Sequence, residues 1–442
     1  MSATLLSAWE DTVRAAPGAV ALIDAATGRT WTRAELDASG RAWRDQHGAK
    51  LARQTVVLAL PGGAEWWRVF LGLLHADAVV APLDPGEPLA AQRTTAAAIR
   101  AAWLWRDEGL EQIAPRPRRA RDERRLLKLT SGSTGTPRAL AFTDAQLLAD
   151  GRQVCAGMGI RGNDRNLGLI PLGHSYGLGN LVVPLLAQGT AMVTGVAGLP
   201  HAIAEAARHW RPTVFPAVPA LLRALALADI APAHLASLRT VISAGAPLAP
   251  EIATAFHQRF GKKIHSFYGS SETGGITYDH TGDAALTGKS VGPPLPGVRL
   301  TPDRSGTVVI ESPAVFTIGN RTPGAHRPKD HLAFTADGEV VLLGRAGRTV
   351  KIAGRRLDLA EVERALRALP GVREAFVAPH AERAESLAAV VAGDTPAEAL
   401  RTALRERIAA WKIPRKIVVT AAFPLTARGK ADTARLRAML EA

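Results

Sequence analysis

A hydroxyl- and glycine-rich run, Thr130, Ser131, Gly132, Ser133, Thr134, Gly135, Thr136, Pro137 and Arg138, follows directly on the apolar residues Leu126, Leu127 and Leu129. A loop of this composition at the end of a strand can wrap a polyphosphate, because glycines let backbone N–H groups approach the oxygens and the hydroxyls add donors. Gly132 and Gly135 are too close for a Walker loop, and no Lys-Ser/Thr pair follows the second glycine, which excludes the commonest NTPase reading. Further residues with chemical potential follow in order. They are His174 in 171–177 (PLGHSYG), Gly245 and Ala246 in 243–248 (SAGAPL), Tyr268, Gly269, Ser271 and Glu272 in 268–272 (YGSSE), then Asp330, Arg345, Gly354 and Lys430. Each has a bland reading in isolation: a common turn, an exposed loop acid, a structural histidine, a solvent-facing lysine.

The elements that must position these residues alternate strand and helix. Residues 55–60 (TVVLAL) read as a buried strand, 64–75 (AEWWRVFLGLLH) as a helix and 78–83 (AVVAPL) as a second strand. This rhythm recurs around 167–193 and at 213–244, which implies a large α/β domain with parallel sheets. After about residue 298 the texture changes to short strands at 307–310, 340–343 and 350–352, with a turn at Ala336-Asp337-Gly338. A helix over 358–369 is capped by Asp358 and aligns Val362, Ala365, Leu366 and Leu369 on one face. The expected organisation is therefore a multi-subdomain α/β domain over 1–345 and a small mobile α+β domain over 346–442.

Composition narrows the class. At 442 residues and 47% hydrophobic, the chain can bury substantial cores. The start carries acids and no cationic region ahead of an apolar core, and the longest apolar stretch, 181–193, is interrupted by Pro184, Gln188 and Gly189, so we expect a cytoplasmic protein with no membrane span. The single cysteine, Cys155, reads as a reduced structural thiol. A net charge of +14 points to an anionic partner such as a nucleotide, coenzyme A or an acidic carrier protein. The basic run 116–125 contains no aromatic residue for base stacking and reads as a solvated loop, with a docking patch for an anionic partner as the alternative, and nucleic-acid binding rests on charge alone.

Taken in order and spacing, these segments, with 344–363 (GRAGRTVKIAGRRLDLAEVE) and 424–430 (PLTARGK), resemble the adenylate-forming superfamily of acyl-CoA synthetases, firefly luciferase and adenylation domains of nonribosomal peptide synthetases. The resemblance spans nearly the whole chain. It implies attack of a substrate carboxylate on the α-phosphate of ATP, a reaction that runs on positioning and charge neutralisation. Thr130, Ser131, Gly132, Ser133, Thr134, Gly135 and Arg138 would hold the β- and γ-phosphates. Gly245 and Ala246 would leave room for adenine, Tyr268 with Gly269 would lie against it, Ser271 would contact the α-phosphate and Glu272 would hold Mg²⁺. Asp330 would take the ribose hydroxyls with Arg345 nearby, and Lys430 would stabilise charge developing in the transition state. The family's small domain rotates between two half-reactions, and Gly354 matches its glycine that lets a pantetheine arm pass, which favours CoA or a carrier phosphopantetheine as acceptor. Several positions depart from pattern: Arg138-Ala139 stands where Lys-Gly is usual, Pro328-Lys329 stands before Asp330 where Thr-Gly is usual, and Gly347 stands where an acid or lysine is usual.

On the substrate side the resemblance puts His174 at a wall between acyl and nucleotide sites, and Tyr176, Gly177, Phe215 and Ala217 around the acyl pocket. Amino-acid-activating relatives carry an aspartate near 171–177, and none stands there. The implied substrate is a fatty or aromatic acid without an α-amine. The alternatives are a standalone adenylating enzyme for an amino or aryl acid in peptide synthesis and a catalytically degenerate adenylate-binding protein.

Overall fold

Strands with apolar residues on both faces need helices on both sides, and the chain supplies them in alternation. The computed structural model describes residues 3–441 apart from 108, 115–117, 131–137, 247, 303–306, 321, 346–348, 353 and 425–431. One sheet has eight strands in the order Gly274–Tyr278, Ile264–Ser270, Thr240–Ser243, Val214–Ala217, Arg165–Leu167, Ala191–Thr194, Val20–Asp24 and Thr30–Thr32. Its six central strands are parallel and the two edge strands antiparallel. A second sheet orders Gly109–Gln112, Trp103–Arg106, Thr55–Leu58, Val79–Pro82, Leu126–Thr130 and Arg138–Phe142. The sequence-predicted strand, helix and strand at 55–83 are Thr55–Leu58, Ala64–His75 and Val79–Pro82.

Two helices show how locally the sequence specifies this packing. Helix Arg33–His47 begins with a capping box, in which the Thr32 hydroxyl accepts from the Glu35 N–H at 3.2 Å and the Glu35 carboxylate accepts from the Thr32 N–H at 2.8 Å. Helix Ala64–His75 lies close against it because Gly72 meets Trp43: a Cβ at Gly72 would stand 2.3 Å from that indole. Trp43, Trp66, Trp67 and Phe70, all essentially unexposed, then fill one continuous core.

The chain divides into two compact units, one of Met1–Asp84, Arg100–Leu129 and Ala139–Ala346, the other of Pro85–Ile99, Thr130–Arg138 and Gly347–Ala442. The second unit contains the hairpin Thr349–Ile352/Arg355–Asp358, the helix Leu359–Arg367 and a sheet of Val372–Pro379, Leu387–Gly393 and Lys416–Thr420. Asp358 caps the helix by accepting from the Ala360 N–H at 3.0 Å, and Val362, Leu366 and Leu369 are buried beneath it. Pro85–Ile99 groups with this unit, which residue order alone does not foretell. The physical link is Lys412, whose ammonium donates to Glu361 at 2.8 Å and also to Glu87.

The end of the basic run 116–125 is a correction. Arg125 donates to Asp144 at 3.0 Å, to Asp77 at 2.9 Å and to the Ala78 carbonyl at 3.2 Å, so it ties segments of the second sheet together instead of standing in solvent, whereas Arg124 makes a local, part-exposed pair with Asp122. Cys155 is buried, and burial pushes its thiol up to about 12. Among the described residues no helix is long and apolar enough to cross a membrane.

Candidate functional site

In the first unit the nucleotide-assigned residues gather around one hairpin. Strands Ile264–Ser270 and Gly274–Tyr278 pair antiparallel with Gly269 opposite Gly275, and Gly274 takes φ 72°, the left-handed region that glycine reaches without penalty. A Cβ at Gly269 would stand 2.6 Å from the Gly274 carbonyl, so the two strands meet closely there because Gly269 has no side chain. Ser270 and Thr273 hydroxyls bond across the turn at 3.0 Å, leaving half-buried Ser271 and Glu272 at its tip. The Glu272 carbonyl accepts from the Phe316 N–H at 3.2 Å, which anchors the tip to a separate segment.

Tyr268 donates its hydroxyl to Asp330 Oδ2 at 2.8 Å, joining two residues 62 positions apart. Tyr268 is 4% exposed and packs with Ile276 and Ile310, with its hydroxyl directed at Asp330. Asp330 begins the strand Asp330–Phe334 and pairs in register with Arg345 at the end of Val340–Arg345. Gly245, at φ 97°, and Ala246 follow the buried strand Thr240–Ser243, which lies in register beside Ile264–Ser270.

The substrate-assigned segment folds as a short helix Ser175–Gly177 that continues into the π-helical turn Leu178–Val182, a widening often found at functional sites. His174 precedes it, half-buried, with its N–H donating to the Pro171 carbonyl at 3.2 Å and its carbonyl accepting from the Leu178 N–H at 2.8 Å. Gly177 is sterically required, since a Cβ would stand 2.1 Å from the Pro171 oxygen. Tyr176 donates to the Ala217 carbonyl at 3.3 Å and its ring lies 5.7 Å from that of Phe267.

Phe215 is placed otherwise than the sequence suggests. Along the strand Val214–Ala217 alternate side chains face opposite ways, and Phe215, fully buried with Ala217 among Leu167, Val193, Ile203 and Leu222, faces the helices. Val214 occupies the other face, in the cluster with Phe267 and Tyr278 against which Tyr176 packs. Ala217 meets Tyr176 through its carbonyl. Period-2 alternation identifies two faces from sequence, but only the packed partners say which one is which.

Thr130 and Arg138 lie in the second unit, with the Thr130 hydroxyl donating to the Arg138 carbonyl at 3.3 Å. Gly354 sits at φ 76° in the hairpin before Arg355, whose guanidinium lies 5.1 Å over the Trp411 ring. Ser131, Gly132, Ser133, Thr134, Gly135, Gly347 and Lys430 lie outside the described residues. Among the described residues no cluster of three or more His, Cys, Asp or Glu side chains is disposed to hold a metal ion. Glu272 supplies one hard carboxylate, which suits Mg²⁺, an ion usually held by one or two carboxylates together with substrate phosphates. The sequence reading passed over Lys128 and Asp150, a buried pair beside this hairpin. Its one local signal is a lysine inside the otherwise apolar run 126–129.

Residues 87–303 match the family model of the AMP-binding enzyme, and residues 361–430 match that of the AMP-binding enzyme C-terminal domain. The 3-hydroxybenzoate–CoA/4-hydroxybenzoate–CoA ligase of Thauera aromatica is 30% identical over 346 residues, 71% of this chain and 66% of that protein. The benzoate–CoA ligase of the same organism is 30% identical over 361 residues, 74% of this chain and 68% of the ligase. The chain thus spans about two thirds of the length of these relatives. Among solved structures, the amide bond synthetase McbA from Marinactinospora thermotolerans superposes with a TM-score of 0.84 at 24% identity, covering 99% of both chains, a likeness of fold.

Proposed function

The chain belongs to the adenylate-forming superfamily of AMP-binding enzymes, and from that premise we propose that it activates an aromatic carboxylic acid lacking an α-amine and passes the acyl group to a pantetheine thiol. The observation that carries the reading is the hairpin that holds Tyr268, Ser271 and Glu272 together, with Tyr268 bonded to Asp330 at 2.8 Å. A carboxylate oxygen attacks the α-phosphorus of ATP, the bond to the pyrophosphate oxygen breaks, and acyl-AMP remains. The thiol sulfur then attacks the acyl carbon and AMP leaves. Ser271 contacts the α-phosphate, Asp330 the ribose hydroxyls, and Lys430 the charge that builds between phosphate and carboxylate. Bound at Glu272, Mg²⁺ supplies neutralisation of the departing pyrophosphate. The 130–138 loop holds the β- and γ-phosphates, with Arg138 keeping the cation that a lysine gives elsewhere.

The choice of an aromatic acid is supported by the benzoate and hydroxybenzoate ligases among the relatives, by the Tyr176–Phe267 aromatic pair, and by the lack of an acid in 171–177 to bind an α-ammonium. Gly354 and the neighbouring Arg355 and Arg356 support a phosphate-bearing pantetheine acceptor, free in CoA or carried on protein. The domain split proposed is 1–345 and 346–442, with the glycine at 347 as tether. ATP–pyrophosphate exchange with benzoic, hydroxybenzoic, cinnamic, fatty and amino acids tests the first step, and thioester formation with CoA and with a phosphopantetheinylated carrier tests the second. Exchange confined to aryl acids is expected. Exchange confined to amino acids, or none despite ATP binding, would overturn the reading.

A further inference from the structure

Lys128 and Asp150 form a charge pair with almost no exposure, 2% and 3%, on the strand Leu126–Thr130 and the helix Asp144–Met158. The ammonium stands 3.7 Å from Asp150 Oδ2 and 4.2 Å over the ring of Phe142. The other carboxylate oxygen, Oδ1, accepts the Gly275 N–H at 2.9 Å, immediately behind the turn that bears Glu272. Space for the carboxylate is made by absent side chains on two sides: a Cβ at Gly274 would stand 2.3 Å from Oδ1, and one at Gly179, in the π-helical turn, 3.0 Å from Oδ2. Burial pushes the Lys128 ammonium down and the Asp150 carboxyl up, each resisted by the other's charge, with the Glu272 charge a smaller favourable influence on Lys128.

A buried ion pair is a poor stabiliser, since hydrophobic residues of similar volume often do as well or better. Its position therefore asks for another use. We propose that Lys128 and Asp150 are positioning residues for the Glu272 turn: Asp150 pins its backbone at Gly275, and Lys128 holds the Asp150 carboxylate in place for that bond. The pair thereby sets the affinity for the Mg²⁺ that accompanies the nucleotide. This inference rests on the functional reading above, in which Glu272 is the carboxylate that meets Mg·ATP.

The test compares the full-length protein with Asp150→Asn, Lys128→Met and the double variant. The probe is a non-hydrolysable ATP analogue with a methylene between the α- and β-phosphates, and the readout is the Mg²⁺ concentration giving half of the analogue's full thermal stabilisation, beside exchange kcat and the KM of the acid. Each single variant is expected to need about five-fold or more Mg²⁺ and to lose about thirty-fold in kcat, with the acid KM changed less than about two-fold. The double variant, which leaves no stranded charge, is expected to regain melting temperature while keeping the raised Mg²⁺ requirement. It decides the matter even where a single variant does not fold. A wild-type Mg²⁺ half-saturation in the double variant, or activity that follows melting temperature alone, would make the pair a core element and overturn the proposal. Absence of exchange by the wild type with every acid, with the analogue still stabilising it, removes the ligase reading and leaves the Mg²⁺ comparison to decide the pair. Failure of the analogue to stabilise the wild type overturns both.

Discussion

Asp37 and Asp150 are both buried carboxylates on helices of the first unit, and their surroundings push them in opposite directions. Burial raises Asp37, but His75 and Arg41 outweigh it with direct hydrogen bonds at 2.9 and 2.7 Å, and its carboxyl falls to about 2. Trp9 adds a further N–H at 2.9 Å. Asp150 has one backbone donor and a cation beyond hydrogen-bond distance, so burial dominates and its carboxyl rises. The lesson is that the number of direct donors, and not burial as such, decides whether a buried carboxylate helps to hold a fold together. Asp37 is a satisfied structural group. Asp150 has fewer direct donors and lies beside the turn that bears Glu272, where placement matters more than stability.

The contrast can be broken in stages. Lys430→Ala sets the catalytic scale: adenylation should fall by about a thousandfold, as for loss of a transition-state donor, while acyl transfer from preformed acyl-AMP and the melting temperature stay close to wild type. Equal loss in both half-reactions would remove the role assigned to Lys430. Asp150→Ala should cost both properties, with exchange down on the order of a hundredfold and stability down by about 3–5 kcal/mol because Lys128 is stranded. A variant with lowered stability and full exchange per folded molecule would dissolve the distinction from Asp37.

Asp37→Ala should destabilise by about 2–3 kcal/mol, since Trp9, His75 and Arg41 lose their acceptor, with exchange per folded molecule unchanged. Acid sharpens the same point. The folded pKa of Asp37 lies below the usual 3.8, so its stabilisation is complete above about pH 4 and is lost as pH falls through about 2, on the order of 1–2 kcal/mol after allowance for solvent screening. The difference in melting temperature between wild type and Asp37→Asn should shrink over that interval, and a constant difference would contradict the assignment. Tyr268→Phe should have the smallest effect, loss of one hydrogen bond to Asp330 worth about 1 kcal/mol, read as a roughly five-fold rise in the KM of ATP with kcat little changed.

Much of this molecule follows from local sequence. The helix over 64–75, the strand–helix–strand unit of 213–244 and the Asp358 cap are set by periodicity and capping chemistry, interactions that close within a few residues. The order of the chemically capable segments from Thr130 to Lys430 likewise identifies the family without coordinates, because each segment is short and contiguous. Tertiary structure alone decided which residues meet across the chain. Tyr268 finds Asp330 62 positions away, Asp150 finds Gly275 125 positions away, and Lys412 finds Glu87 325 positions away. Strand parity left Phe215 free to face either side until the helices claimed it. A side chain's local neighbours determine the element it joins, whereas the identity of a distant partner depends on how sheets and helices stack, and one-dimensional spacing does not encode that.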